Sequence, residues 1–233
     1  MKSPKLFETC KLHYGKYLYK LVVHNSLNVI FRSEFQKDNM LGHAREKIDA
    51  LTEQFRKGAP LMQSIYRTSR EVTIDDYLDA KDIYTILKSH SDYKIRVAPW
   101  SSLTIYSNDR DLLIKIMGKI RSFRIEFWEP SKDSLPLLLN TSNIIVVDNP
   151  TDYPIKVTLG NQKVNSDFAN WLKANTDKSK IGHVALDCIS KSGWCSGYYF
   201  YLRDEKLLSL IMLLVGNNIR RVDKLVYSAN IDK

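Results

Sequence analysis

The segment Leu103-Thr-Ile-Tyr-Ser-Asn-Asp-Arg-Asp-Leu-Leu-Ile-Lys-Ile-Met117 governs the architecture that we predict for this chain. It aligns without gaps on Tyr198-Tyr-Phe-Tyr-Leu-Arg-Asp-Glu-Lys-Leu-Leu-Ser-Leu-Ile-Met212, with Tyr, Asp, Leu-Leu and Ile-Met at the same offsets. Each copy predicts a strand followed by a helix. Two explanations stay open: every strand-to-helix corner needs a capping residue and then apolar residues at helical spacing, or the chain contains a duplicated β-α-β unit.

Elements of the same kinds flank both copies. Alternating apolar residues predict strands at Tyr93–Val97 and Phe123–Trp128, on either side of the first copy, and a strand at Ile219–Tyr227 follows the second. Upstream, Tyr17–Val23 and Leu27–Phe31 surround an Asn-Ser turn and predict a hairpin. We therefore expect an α+β fold of repeated β-α-β (ferredoxin-like) units, with antiparallel or mixed sheets flanked by helices.

Capping residues and prolines predict the remaining organisation. Apolar residues at helical spacing follow Asn39 and Thr73, and each of these two residues is a suitable N-cap. Pro150 and Pro154 interrupt the chain and indicate a boundary. We predict an N-terminal α+β region over 1–149, as one body or as two units at 1–90 and 91–149. A C-terminal α+β unit over 150–233 follows it.

Length and composition limit the class of protein. The chain has 233 residues, of which 44% are hydrophobic, so it can bury a core without disulfides. The longest apolar run, Leu207–Val215, is shorter than the roughly 20 residues of a membrane span, and no apolar run suited to a signal peptide follows the N-terminus. Three cysteines without a CxxC pair favour reduced thiols. We predict a cytoplasmic protein with no membrane partner.

Motifs for cofactor, metal or nucleophilic chemistry are absent from the sequence. It contains no GxxxxGK[ST], GxGxxG, HExxH or GxSxG string, so we expect no cofactor. His183, Cys188 and Cys195 have a spacing that matches no common zinc module, and the acids of the helix after Thr73 are typical of a solvated face. We predict no metal site. The catalytic candidate is His24, at the end of a strand, where it could act as the general acid or base of a metal-independent ribonuclease.

Aromatic residues and cations are neighbours along several predicted strands, and the formal net charge is +9. In such strands aromatic rings can stack on bases and cations can bind phosphates, as in ferredoxin-like RNA-binding domains, although no RNP1-like string is present. An ordinary solvated sheet face has the same composition. The predicted nucleic-acid-binding residues are Lys16, Tyr17, Tyr19, Lys20, Lys94, Arg96, Arg121, Arg124, Trp128, Arg220, Arg221 and Lys224.

The positive charge is spread along the whole chain. Basic and acidic residues number 15 and 11 in 1–90, 8 and 6 in 91–140, and 12 and 9 in 141–233. An even excess supports nucleic-acid binding only if folding brings cations together. The favoured hypothesis is a non-enzymatic protein that binds RNA or single-stranded DNA. The alternatives are a protein-interaction or assembly component, as in a virus, and a metal-independent ribonuclease.

Overall fold

The computed structural model describes residues 4–32, 40–65, 68–98, 102–121 and 124–228. Helices and sheets are interspersed along these ranges, and the sheets are mixed or antiparallel. The α+β class predicted from the sequence is confirmed. In the described part of the chain, no helix has both the length and the apolar character that a membrane span requires.

Internal contacts divide the chain into two compact units. The N-terminal unit comprises Met1–Thr9 and Lys16–Ser131, and the C-terminal unit comprises Cys10–Gly15 and Lys132–Lys233. The boundary predicted from the sequence lies later, after residue 149. The reason for the difference is the strand Ile144–Val147, which pairs with the last strand of the chain and so belongs to the later unit.

In its described residues, the N-terminal unit contains a five-stranded sheet, a separate hairpin and three α-helices. Its strands are β1 (Lys5–Thr9), β2 (Tyr19–Val23), β3 (Met62–Ile65), β4 (Thr68–Glu71), β5 (Tyr93–Ala98), β6 (Ser102–Ser107) and β7 (Ile125–Pro130). Its helices are α1 (Met40–Arg56), α2 (Ile74–Leu87) and α3 (Arg110–Met117). The sheet has the order β1-β7-β2-β6-β5, and every neighbouring pair is antiparallel except β1 and β7. Strands β3 and β4 form the hairpin.

Side-chain caps explain where two of these helices begin. The Thr73 hydroxyl accepts a hydrogen bond of 3.1 Å from the backbone N–H of Asp76, as the sequence predicted. For α3 the cap is Asp109, whose carboxylate accepts from the N–H of Leu112 at 3.0 Å. The predicted cap of α1, Asn39, lies outside the described residues.

The hairpin predicted at the start of the chain is wrong. Leu27–Phe31 does not pair with β2; residues 28–31 form a 3₁₀-helix instead. The side-chain oxygen of Asn25 accepts a hydrogen bond of 2.7 Å from the N–H of Leu27 and so turns the chain. Leu27, Ile30 and Phe31 are all buried, which a helical turn with a spacing of three allows.

The C-terminal unit contains a second five-stranded sheet. Its strands are β8 (Ile144–Val147), β9 (Ile155–Leu159), β10 (Ser179–Ile181), β11 (Tyr199–Leu202) and β12 (Ile219–Tyr227). Its helices are α4 (Leu135–Asn140), α5 (Ser166–Ala174), α6 (His183–Ser190) and α7 (Leu207–Val215). The sheet has the order β10-β11-β9-β12-β8, with β8 and β12 parallel and the other pairs antiparallel.

The two five-stranded sheets have the same strand order. In each, the first strand of the unit lies at one edge, parallel to the last strand. The last strand pairs with the second, the second with the fourth, and the fourth with the third at the other edge. The aligned segments Leu103–Met117 and Tyr198–Met212 occupy the same place in this order, as β6 with α3 and β11 with α7.

Candidate nucleic-acid interface

The N-terminal sheet has two chemically different faces because successive side chains of a strand point to opposite sides. Leu21, Ile105 and Phe127 point toward the helices and belong to one core cluster with residues of α1, α2 and α3. Their strand neighbours, such as Lys20 and Tyr106, point to the opposite side. We call that side the outer face of the N-terminal sheet.

Five outer-face residues stand opposite one another across the five strands. The pairing register joins Phe7 to Trp128, Trp128 to Lys20, Lys20 to Tyr106, and Tyr106 to Lys94. The Phe7 and Trp128 rings are stacked, with centroids 4.4 Å apart, and the Lys20 ammonium lies 3.5 Å from the centroid of a Trp128 ring. We call these five residues the cross-strand row. It places an aromatic pair beside two cations and a third aromatic residue, Tyr106, which is buried.

A shallow cavity of about 350 Å³ lies next to the cross-strand row. Arg96, His24 and Glu126 contribute to its lining together with Lys20 and Tyr106. His24 Nε2 lies 3.7 Å from Glu126 Oε1, and this buried nitrogen makes no hydrogen bond to any described residue. The structure therefore places the catalytic candidate beside a carboxylate and two cations, and its catalytic role stays a prediction.

Several of the predicted binding residues come together in this region. Lys20, Lys94, Arg96 and Trp128 all lie on the outer face, and the latter three come from β5 and β7. Arg124 precedes β7 and lies 3.6 Å from Glu126 through its guanidinium.

Tyr17 and Lys16 lie at the end of this region. The Tyr17 ring centroid is 6.3 Å from that of Tyr106, and the Lys16 ammonium lies 4.9 Å from the Tyr17 centroid. Lys16 also donates a hydrogen bond of 2.9 Å to Asp92, which raises the lysine pKa and lowers that of the carboxyl group. The cation is thus already paired with an acid.

Tyr19 is placed away from the outer face. Its ring stacks on Phe127 with a centroid distance of 6.4 Å and packs against the helix-covered core. The alternation of β2 explains this position, because Tyr19 is one residue from Lys20 and so points to the opposite side.

Arg121 forms ion pairs with two acids of α2. Its guanidinium lies 2.9 Å from Asp82 and 3.3 Å from Asp79, and its backbone N–H donates a 2.7 Å hydrogen bond to Asp79. The bond with Asp82, followed by that with Asp79, raises the pKa of Arg121. Asp79 is fully buried, so the interpretation of the α2 acids as one solvated face is wrong for this residue. The ion pair joins α2 to the segment that follows α3.

The remaining predicted cations belong to the C-terminal unit. Arg220, Arg221 and Lys224 are residues of β12. The Arg221 Nε donates a hydrogen bond of 2.6 Å to the buried carboxylate of Asp223. Arg220 and Lys224 are exposed.

The C-terminal sheet contains a comparable set of residues that sequence reasoning missed. Its register joins Lys180 to Tyr201, Tyr201 to Lys156, and Lys156 to Asp223, on the face opposite α5 and α7. Burial lowers the pKa of Lys156 and raises that of Tyr201. The sequence did contain an indication of this set, because the gapless alignment places Tyr106 on Tyr201.

Metal ligands do not converge in the part of the chain that the structure describes, where no three His, Cys, Asp or Glu side chains form a group. Cys188 and Cys195 have sulfur atoms 3.6 Å apart. Burial, followed by the hydrogen bond between Cys195 and Cys188, raises the pKa of Cys195 to about 12, which keeps this thiol protonated.

Comparison with protein-family models, with curated proteins and with solved structures gives no match for this chain.

Proposed function

We propose that this chain is a cytoplasmic, non-enzymatic protein that binds single-stranded nucleic acid, RNA or DNA, through the outer face of the N-terminal sheet. The observation that carries the proposal is the cross-strand row, in which Phe7 and Trp128 stack beside Lys20, Tyr106 and Lys94. Aromatic rings on a sheet bind bases of any sequence because every base has a π-face. Cations between the rings neutralise phosphates.

The edge strand β5 supplies the cations best placed for a nucleic-acid backbone. Lys94 and Arg96 are both exposed, and they lie two residues apart on the same face of β5. A strand rises about 3.3 Å per residue, so their Cα atoms are roughly 6.6 Å apart, close to the spacing of successive phosphates in a strand. Together they could follow the backbone while bases reach Trp128 and Phe7 toward the other edge.

We also propose that both units have a ferredoxin-like core and arose by duplication. Without its parallel edge strand, each five-stranded sheet keeps four core strands, and all neighbouring pairs of these are antiparallel. Across the sheet the core strands follow the order last, first, third, second. This order supports a β-α-β-β-α-β core to which one parallel edge strand is added. A constant offset of 95 residues, which aligns Leu103 with Tyr198, also aligns β7 with residues 220–225 of β12. The outer face is the side with which ferredoxin-like RNA-binding domains contact RNA.

Fluorescence anisotropy with labelled single-stranded RNA, single-stranded DNA and duplex across a salt series tests the proposal. We expect both single strands to bind more tightly than the duplex, with affinity falling as salt rises. The double variant K94A/R96A should lower the slope of log affinity against log salt by about 1.4, since each phosphate contact on a single strand contributes about 0.7. The matched control is K47A, which removes an exposed lysine from α1.

Absence of binding in low salt would overturn the proposed function. So would an affinity that does not depend on salt, or equal salt slopes for K94A/R96A and K47A, because either result would mean that the β5 cations contact no phosphate.

One observation favours the assembly alternative. Helix α7 exposes Leu210, Met212 and Leu213, the last with 84% of its surface accessible. Exposed apolar residues in a group are typical of a protein contact. If a second copy of the chain covers this helix, light scattering coupled to size exclusion will give a dimer mass that the variant Leu213→Ser reduces to that of a monomer. A wild-type protein that is monomeric at high concentration would exclude this assembly.

A further inference from the structure

The C-terminal sheet has a pocket of about 340 Å³ on the face opposite α5 and α7. Three lysines line it: Lys156 from β9, Lys180 from β10 and Lys11 from the segment that pairs with β8. Among the described residues the lining contains no aspartate or glutamate. We call this site the lysine pocket. Its volume is within the range of small-molecule sites, which begins at roughly 300 Å³.

Charges around Lys156 make the lysine pocket favourable for an anion. Burial lowers the pKa of Lys156, and the positive charges of Lys11 and Arg221 lower it further, whereas Asp223 raises it. Asp223 is hydrogen-bonded to Arg221 at 2.6 Å, and the Lys156 ammonium lies 4.0 Å from the centroid of the Tyr199 ring. An anion in the pocket would reduce the repulsion among the lysines, and the low local dielectric strengthens that attraction.

Neutral groups of the lysine pocket suit the remainder of a nucleotide. Tyr201 and Tyr153 contribute aromatic surface, and Leu225 contributes an apolar contact. The Tyr153 hydroxyl donates a 3.0 Å hydrogen bond to the carbonyl of Thr176, which fixes the ring. A fixed aromatic ring beside a cationic centre can contact a base while the lysines hold a phosphate.

We propose that the lysine pocket binds a phosphate monoester carried by a nucleoside, either a free nucleoside 5′-monophosphate or the phosphorylated 5′ end of a strand. A monoester carries about −1.5 to −2 charges at pH 7, so it matches three lysines better than the singly charged diester of an internal nucleotide. The residues of this site all belong to the C-terminal unit, and the inference does not depend on the function proposed for the N-terminal sheet.

Isothermal titration calorimetry with AMP and with adenosine tests the phosphate requirement. We expect AMP to bind and adenosine to bind at least tenfold more weakly. The variant K180A should weaken AMP binding by about tenfold, the loss typical of one hydrogen bond to a charged group. Lys180 is exposed on an edge strand, so its removal leaves the core intact. The control K173A removes an exposed lysine of α5 and should bind AMP like the wild type.

A second variant keeps the test decisive if one substitution disturbs the fold. K156Q preserves much of the buried stem and removes the charge, and circular dichroism reports whether each variant is folded. Folded K180A and K156Q variants that bind AMP like the wild type would overturn the proposal, and equal affinities of AMP and adenosine would exclude a free nucleotide as the ligand.

Anisotropy with 5′-phosphorylated and 5′-hydroxyl oligonucleotides distinguishes the two sources of the monoester. A preference for the phosphorylated strand that K180A abolishes identifies a strand end, whereas AMP binding without that preference identifies a free nucleotide. If neither AMP binding nor a 5′-phosphate preference is found, the inference is wrong. The K94A/R96A variant separates this inference from the proposed function, because it removes cations of the N-terminal sheet alone. It should bind AMP as tightly as the wild type.

Discussion

The two sheets share a strand order and a Lys-Tyr-Lys series, yet they differ at the next position. In the N-terminal sheet Lys94, Tyr106 and Lys20 lead to Trp128, and in the C-terminal sheet the residue opposite the corresponding Lys156 is Asp223. Trp128 continues the row as an aromatic surface. Asp223 ends it with a carboxylate bonded to an arginine. The same strand order thus carries a row of aromatic residues and lysines in one unit and a cationic pocket in the other.

Removing the buried carboxylate of Asp79 should have the largest effect and should affect one unit alone. Asp79→Ala leaves the Arg121 N–H without its acceptor, while the guanidinium keeps its ion pair with Asp82. A donor that loses its acceptor in a partly buried place costs about 1–3 kcal/mol. Hydrogen exchange by mass spectrometry should show faster exchange in β7 and unchanged exchange in β12. The exposed i,i+4 pair of α1 provides the control: Asp49→Ala should alter neither strand. Equal destabilisation of both sheets would show that the units do not respond independently.

Replacing the residue at which the two sheets differ tests the comparison directly. Trp128→Asp gives the N-terminal sheet the acid of the C-terminal sheet, and it removes a stacking contact worth about 1–3 kcal/mol per base. We expect single-strand affinity to fall at least tenfold in the anisotropy assay. Trp128→Leu keeps an apolar contact with Phe7 and serves as the control for folding. Unchanged affinity in a folded Trp128→Asp variant would remove Trp128 from the interface.

The local elements were predictable, and the grouping of side chains was less so. The strand Ile219–Tyr227 was predicted with its observed bounds because its alternation is local. Leu27–Phe31 was misread because apolar residues and a turn suit both a short strand and a 3₁₀-helix. Lys20, Lys94 and Trp128 were predicted as binding residues because an aromatic or a cation is near them in sequence, and their binding role stays a prediction. Tyr106 was missed because its cations come from neighbouring strands.

The same reason explains the lysine pocket. Lys156 and Lys180 lie on different strands, and each reaches Tyr201 only through sheet pairing. The alignment of Tyr106 with Tyr201 indicated a repeated position, but only the register shows that both tyrosines stand between two lysines.

Alkaline pH should weaken the lysine pocket before it affects an ordinary lysine site. Burial lowers the pKa of Lys156 below 10.5, so its charge is present at lower pH and is lost as pH rises through that reduced value. AMP affinity measured by calorimetry should therefore decline at a lower pH than an unperturbed lysine would give. K156R retains its charge and should flatten the profile. The Tyr201 pKa is raised, so this phenol stays neutral over the same range. A wild-type profile identical to that of K156R would exclude Lys156 from anion binding.

The smallest effect on stability is expected from a substitution in α7, the helix that follows the aligned strand β11. Leu210 of α7 occupies the position of Lys115 in α3, and both are exposed. Leu210→Lys should change the free energy of unfolding by no more than about 0.5 kcal/mol, because surface substitutions away from buried groups rarely do more. Urea unfolding measures this value, and light scattering measures the mass of the same variant. If α7 forms a contact between copies, the charge will abolish it without loss of stability. A destabilisation well above 0.5 kcal/mol would instead mean that Leu210 packs within its own unit, and that the exposed surface of α7 does not distinguish the C-terminal unit from the N-terminal one.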